Sequence, residues 1–106
     1  MRRGEVFRLR LPARRSGHEQ RGARYCVVVQ AGDLLALSTV IVAPTSTAAQ
    51  SASFRPEIVL KGKKTRVLTD QLTAVDVQRL GASEGVVSSD EINALDASLS
   101  TVLGLR

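Results

Sequence analysis

Hydrophobic and polar positions alternate where the chain begins. In EVFRLRL, Phe7, Leu9 and Leu11 fall on one side and Arg8 and Arg10 on the other, the two-residue period of a half-buried strand. Pro12 ends it. PARRSGHEQRGA has no period and two glycines, and reads as a loop of about a dozen residues, a length that points to function or mobility. RYCVVVQ is β-branched, too short for a helix and apolar on both faces, the mark of a central strand. AGDLLAL is a turn or short helical connection. STVIVAP predicts a third strand stopped by Pro44, with TSTAAQSAS a polar loop behind it. EIVL and TRVLTD flank KGKK, a basic hairpin turn in which Gly62 can take positive φ. QLTAVD continues into a further strand, VQRLGASEG reads as a turn or short 3-10 segment, and VVS as a last short strand.

The period then changes. SSDEINALDASLSTVLGLR sets Ser88 and Glu91 at capping-box spacing and Asp90 and Glu91 in a first helical turn. It repeats apolar residues at Ile92, Leu95, Leu99, Val102 and Leu103 and ends on Gly104. One amphipathic helix therefore closes a chain of five to seven short strands, with no repeat or linker between them. The expected architecture is mainly β with a C-terminal helix, a small, strongly bent barrel over residues 1–106 as a single domain.

Composition adds constraints to this pattern. A chain of 106 residues buries roughly 65% of its unfolded surface. At 43% hydrophobic and 24% charged it has the make-up of a globular domain. The aromatics are Phe7, Tyr25 and Phe54, so the core is aliphatic and no broad base-stacking platform is available. Cys26 has no partner for a disulfide and reads as a small buried hydrophobe in a reducing compartment. Neither a signal-peptide core nor a membrane-length apolar run is visible, so a cytoplasmic protein without membrane contact is expected. The net charge of +5 is concentrated at the start, where residues 1–30 hold eight Arg against two Glu. Such clustering suits a polyanion, because arginines gain from displacing its condensed counterions.

The residue inventory narrows the chemistry. One His and one Cys without paired spacing cannot furnish a typical metal site, so no cofactor and no metal are expected. GKK lacks the flanking residues of a phosphate-cradling glycine loop. Arginines, carboxylates, hydroxyls and His18 suit RNA cleavage by the 2′-hydroxyl. A base takes its proton, cations stabilise the charge gathering on phosphorus, and an acid protonates the leaving 5′ oxygen. Arginine suits the middle role, since its planar fork holds two phosphate oxygens.

Several stretches in order resemble one family. RRGEVF opens the first strand and GHEQRGARYCVVV is similar to G-[SH]-E-Q-x-G-x-R-P followed by an apolar run. TVIVAPTST lies at the third strand, LTDQLTAVDVQRLG comes late, and the helix ends VLGL. Together they resemble the MazF/PemK/Kid toxins of bacterial toxin-antitoxin systems, metal-independent, sequence-specific endoribonucleases with an SH3-like barrel. The resemblance implies that Arg24 stabilises the phosphorane and that Glu19 and His18 act as base or acid. Ser46 would hold the scissile phosphate, and Asp70 matches a general base of the Kid-like branch. Gln20, Arg21, Tyr25, Thr45, Thr47 and Gln71 would be RNA contacts. It further implies a homodimer, single-stranded RNA as substrate, cleavage to a 2′,3′-cyclic phosphate or 3′-phosphate and a 5′-hydroxyl, and a cognate antitoxin with an acidic C-terminal segment. Two positions depart from the pattern: Tyr25 stands where the family has proline, and Leu68 where the Kid-like branch has a second arginine. The second departure shifts weight from Asp70 to Glu19 and Arg24. The alternative is a non-catalytic toxin or binding module of the same fold, acting by protein contact as gyrase poisons do, or an RNA-binding protein. Such a protein would have no need of Arg24 with Glu19.

Overall fold

A computed structural model describes residues 1–10 and 24–105. Seven strands and one α-helix follow one another among them: β1 Glu5–Leu9, β2 Tyr25–Val28, β3 Thr39–Ser46, β4 Glu57–Leu60, β5 Lys63–Val67, β6 Thr73–Asp76, β7 Leu80–Val86 and α1 Ser89–Leu103. Pairing is antiparallel throughout, in the order β4-β5-β3-β2-β1-β7, with β6 also on β3. The mainly β sheet with a C-terminal helix is the architecture that the alternation predicts.

The apolar run of β2 is explained by two cores, one on each side of the sheet. Val27 and Val29 join Val6, Ala43, Ile58, Leu60, Val67, Leu95 and Leu99 beneath the helix. Cys26 and Val28 join Val40, Val42 and Val75 on the opposite side, with Phe7 and Leu9 packed against them. Alternate side chains thus reach opposite cores, and β2 has no polar face. Burial pushes the Cys26 thiol up to about 11, as suits an inert packing residue. Val6, on the side of β1 opposite Phe7, is also buried, so the first strand is covered on both faces at its start.

Four expectations are corrected. Pro44 does not stop β3, which continues to Ser46. Before the proline the strand pairs with β6 through Thr39–Val42, and after it with β5 through Thr45 and Ser46. The proline has no N–H to give to a ladder, and it stands where the strand changes partner. Its carbonyl accepts from Leu68 N at 2.8 Å. VQRLGASEG, expected as a turn or short 3-10 segment, is 3-10 only at Val77–Arg79, and its LGASEG belongs to strand β7. Its glycine reflects close approach: a Cβ on Gly81 would lie 3.2 Å from the Arg8 carbonyl oxygen. VVS is accordingly not a separate strand, since Val86 ends β7. TRVLTD divides as well, into β5 up to Val67 and a 3-10 turn at Thr69–Gln71.

The helix matches its sequence signals closely. Ser88 Oγ accepts from Glu91 N at 3.1 Å, Glu91 Oε1 accepts from Ser88 N at 2.9 Å, and Gly104 takes φ 67°. Glu91 Oε2 also accepts from Val59 N at 2.8 Å, which ties the helix start to β4. Leu95 and Leu99 are buried, whereas Leu103 faces outward. No helix among the described residues is long and apolar enough to cross a membrane.

Candidate functional site

The start of β2, the end of β3 and the β4–β5 hairpin meet around a groove of about 800 Å³ lined by Arg24, Tyr25, Thr45, Ser46, Thr47, Lys61, Lys63, Thr65 and Gln71, with Leu60 and Leu68 among its apolar surface. Six of the residues singled out from the sequence are therefore brought together: Arg24, Tyr25, Thr45, Ser46, Thr47 and Gln71. His18, Glu19, Gln20 and Arg21, and the loop in which they were expected, lie outside the described residues.

Local structure fixes each side chain. The Arg24 carbonyl accepts from Leu9 N at 2.8 Å, so its backbone is held by β1 while its guanidinium is exposed at the groove. The Tyr25 carbonyl accepts from Thr45 Oγ1 at 3.0 Å, joining two groove walls. The Tyr25 ring packs against the core beneath the helix and also lines the groove, so the residue standing in the family's proline position closes one end of the apolar core. Thr45 and Ser46 belong to the end of β3 rather than to the loop in which the sequence reading puts them. Ser46 Oγ accepts from Ala48 N at 3.1 Å, which orients the hydroxyl and leaves its own proton to donate.

Asp70 stands apart from this lining. Both its oxygens are engaged by Arg55, Nε to Oδ1 at 3.2 Å and Nη2 to Oδ2 at 2.9 Å. The hydrogen-bonded Arg55 guanidinium holds the Asp70 carboxyl below the usual carboxylate range, and Asp70 in turn raises Arg55. A carboxylate with a lowered pKa and two occupied oxygens is a weak proton acceptor. Arg55 lies too far from Asp70 in sequence, and in no matching motif, to be found from the sequence. Where a second cation is missing at Leu68, the structure buries that leucine in the groove surface and brings a guanidinium to Asp70 from the segment before β4.

Lys61, Lys63 and Thr65 also line the groove and are not among the residues singled out above. The one signal was KGKK, whose reading as a turn gave no direction to its lysines. No carboxylate or histidine occurs among the described residues that line it. The groove thus offers positive charge and hydroxyl donors, an arrangement suited to a phosphodiester.

The chain is similar to known proteins over almost its whole length. The family model for "PemK-like, MazF-like toxin of type II toxin-antitoxin system" matches residues 2–103. A Mycobacterium tuberculosis protein named "Putative toxin Rv3098A/RVBD_3098A" is 39% identical over 104 residues, covering 97% of each chain. Among solved structures, a mycobacterial endoribonuclease in complex with its cognate antitoxin superposes with a TM-score of 0.82 at 21% identity, covering 100% of this chain and 97% of that one. The Mycobacterium tuberculosis toxin MazF-mt6 gives 0.78 at 17% identity, covering 96% and 98%. At these identities the superpositions speak to the fold.

Proposed function

The chain belongs to the PemK-like, MazF-like toxins of type II toxin-antitoxin systems, and on that premise we propose that it is an endoribonuclease cutting single-stranded RNA. The observation that carries this reading is the groove that gathers Arg24, Ser46 and Gln71 from three separate stretches of chain, with no carboxylate among the described residues of its lining. A phosphodiester seated there meets the Arg24 guanidinium and the Ser46 hydroxyl proton, which counter the charge that builds on the non-bridging oxygens as the 2′-hydroxyl attacks. Attack in line with the departing 5′ oxygen needs a backbone free to rotate, which single strands supply. The products are a 2′,3′-cyclic phosphate, or the 3′-phosphate from its hydrolysis, and a 5′-hydroxyl.

The proton acceptor is Glu19, with His18 as its acid partner; both precede Arg24 in a stretch joined directly to the groove wall. Asp70 is a positioning carboxylate that holds Arg55 beside Gln71. Gln20 and Arg21 contact the RNA with Tyr25, Thr45, Thr47 and Gln71. The same positive groove receives the acidic C-terminal segment of a cognate antitoxin, which excludes RNA by taking its cations. The chain works in the cytoplasm as a homodimer. Leu103 and Leu105 are exposed beside a hollow lined by Val29, Leu72 and Leu99, so one surface carries both projection and recess. A second copy related by a two-fold axis pairs them.

Incubation with a long unstructured RNA in EDTA, followed by end-group analysis, tests the reading. Wild-type protein is expected to give 5′-hydroxyl ends, and Arg24→Ala to lower the rate by roughly two to three orders of magnitude, the scale of losing one charge-stabilising donor. Intact RNA at stoichiometric protein, with wild type and Arg24→Ala alike, refutes the ribonuclease reading and favours toxicity by protein contact.

A further inference from the structure

The β4–β5 hairpin carries several cations, and the register of its strands treats them differently. Glu57 faces Arg66, Val59 faces Lys64 and Leu60 faces Lys63 across the pair. Residues directly opposite share a face of the sheet. Arg66 has its counter-charge in place, with Nη2 3.5 Å from Glu57 Oε1. Lys63 shares the groove face with Leu60 and Thr65, and all three line the groove. It forms no ion pair among the described residues. Lys64, its neighbour on the other face, is exposed outside the groove lining.

The turn makes this division rigid. Lys61 and Gly62 both take positive φ, 53° and 80°, the requirement of a tight two-residue hairpin, so Lys63 begins β5 at a fixed position. Its carbonyl accepts from Thr65 Oγ1 at 3.1 Å, and Thr65 is buried. Lys61, also at the groove, is partly answered by Glu84, whose Oε1 lies 3.7 Å from its ammonium. Across the groove from the β2–β3 wall, the sheet therefore presents one ammonium with an apolar residue opposite and hydroxyl-bearing neighbours.

We propose that Lys63 binds a backbone phosphate flanking the scissile one, so that RNA crosses the groove from Arg24 to the β4–β5 hairpin. The assignment rests on the ribonuclease reading above and extends it: substrate is held at two phosphates, one at the Arg24–Ser46 wall where chemistry occurs and one at Lys63 where it does not. A point charge on a flexible stem suits the second task, which needs attraction rather than bidentate geometry. Lys63 is then a binding residue whose loss weakens association and leaves the reacting groups in place.

The test uses the full chain and an RNA oligonucleotide spanning a mapped cleavage site, blocked by a single 2′-deoxy nucleotide, with binding measured by fluorescence anisotropy across a salt series. Lys63→Ala is expected to bind about tenfold more weakly, the loss of one charge-assisted contact, and its log K against log salt slope to be shallower by about 0.7. Lys63→Arg restores affinity. Lys64→Ala, an equal change in charge on the outer face, stays within about twofold of wild type. An uncharged methylphosphonate at one flanking linkage weakens wild type by the same factor and has no effect on Lys63→Ala. Equal losses for Lys63→Ala and Lys64→Ala, with wild type still cutting the unblocked oligonucleotide, overturn the Lys63 assignment alone. A wild type that binds no RNA and cuts none overturns the ribonuclease reading and this assignment with it.

Discussion

At the scale of single residues, the pairing of Asp70 with Arg55 bears on which carboxylate serves as base in the proposed reaction. Both oxygens of Asp70 are bonded to one guanidinium, and its pKa is lowered chiefly by that hydrogen bond. Arg55→Ala is expected to return the Asp70 carboxyl to the ordinary carboxylate range, read by carboxyl NMR titration. A group whose folded pKa is depressed stabilises the protein above its unfolded pKa, and that contribution is lost as pH falls through the folded value. The stability difference between wild type and Arg55→Ala should therefore be present at neutral pH and vanish in acid. Asp70→Asn should leave the acid limb of the cleavage pH profile where it is, whereas Glu19→Gln should remove cleavage. A profile whose acid limb disappears in Asp70→Asn would give the base role to Asp70 instead. Leu68 and Tyr25 show how a departure from a motif is absorbed: the leucine becomes groove surface, and the ring fills the junction of groove and core.

At the scale of elements, α1 holds the pair in place through a polar node in an apolar interior. Ser98 Oγ and Thr69 Oγ1 lie 2.6 Å apart, and each donates to the Phe54 carbonyl at 2.5 Å. Phe54 precedes Arg55 and Thr69 precedes Asp70, so one helical serine sets the spacing of both ion-pair partners. Because either hydroxyl alone still satisfies the carbonyl, Ser98→Ala and Thr69→Val are each expected to cost about 1 kcal/mol. The double variant should cost more than their sum, since it leaves a part-buried carbonyl without a donor. Urea unfolding of the four proteins measures this coupling, and strict additivity would show that the two hydroxyls act separately. The capping box works at the same scale: Glu91 closes the helix start and also accepts from the edge strand β4, so a local signal has a tertiary use.

At the scale of the whole molecule, two hollows border the core beneath the helix, one rich in cations and one largely aliphatic. The groove lining holds Arg24, Lys61 and Lys63, while the hollow beside α1 is lined by Val29, Ile41, Leu72, Leu99, Leu103 and Leu105 together with the paired Arg3 and Asp96. Ile41, Leu103 and Leu105 are exposed in the single chain. Light scattering is expected to give a dimer for wild type and a monomer for Leu105→Asp, because a carboxylate placed in an apolar two-fold contact would lose its hydration unpaired. A Leu105→Asp protein of unchanged mass would move the contact to another face.

The sequence by itself determined what depends on neighbouring residues. Alternation in EVFRL, the β-branched run of β2, the EIVL strand and the Ser88–Glu91 cap each carry their structure in local periodicity or local hydrogen bonding, and the order of motifs along the chain was enough to name the family. Tertiary structure alone decided where strands change partners and which charges are answered. Pro44 reads locally as a stop, yet it is a crossing point, because β5 supplies pairing beyond it. LGASEG lacks β-branched residues, and the backbone of β1 makes it a strand. Arg55 and Asp70 are fifteen positions apart, and Lys63 differs from Lys64 through the face of the hairpin on which it stands. Such pairings follow from register, which is a property of two strands together and has no trace in either one.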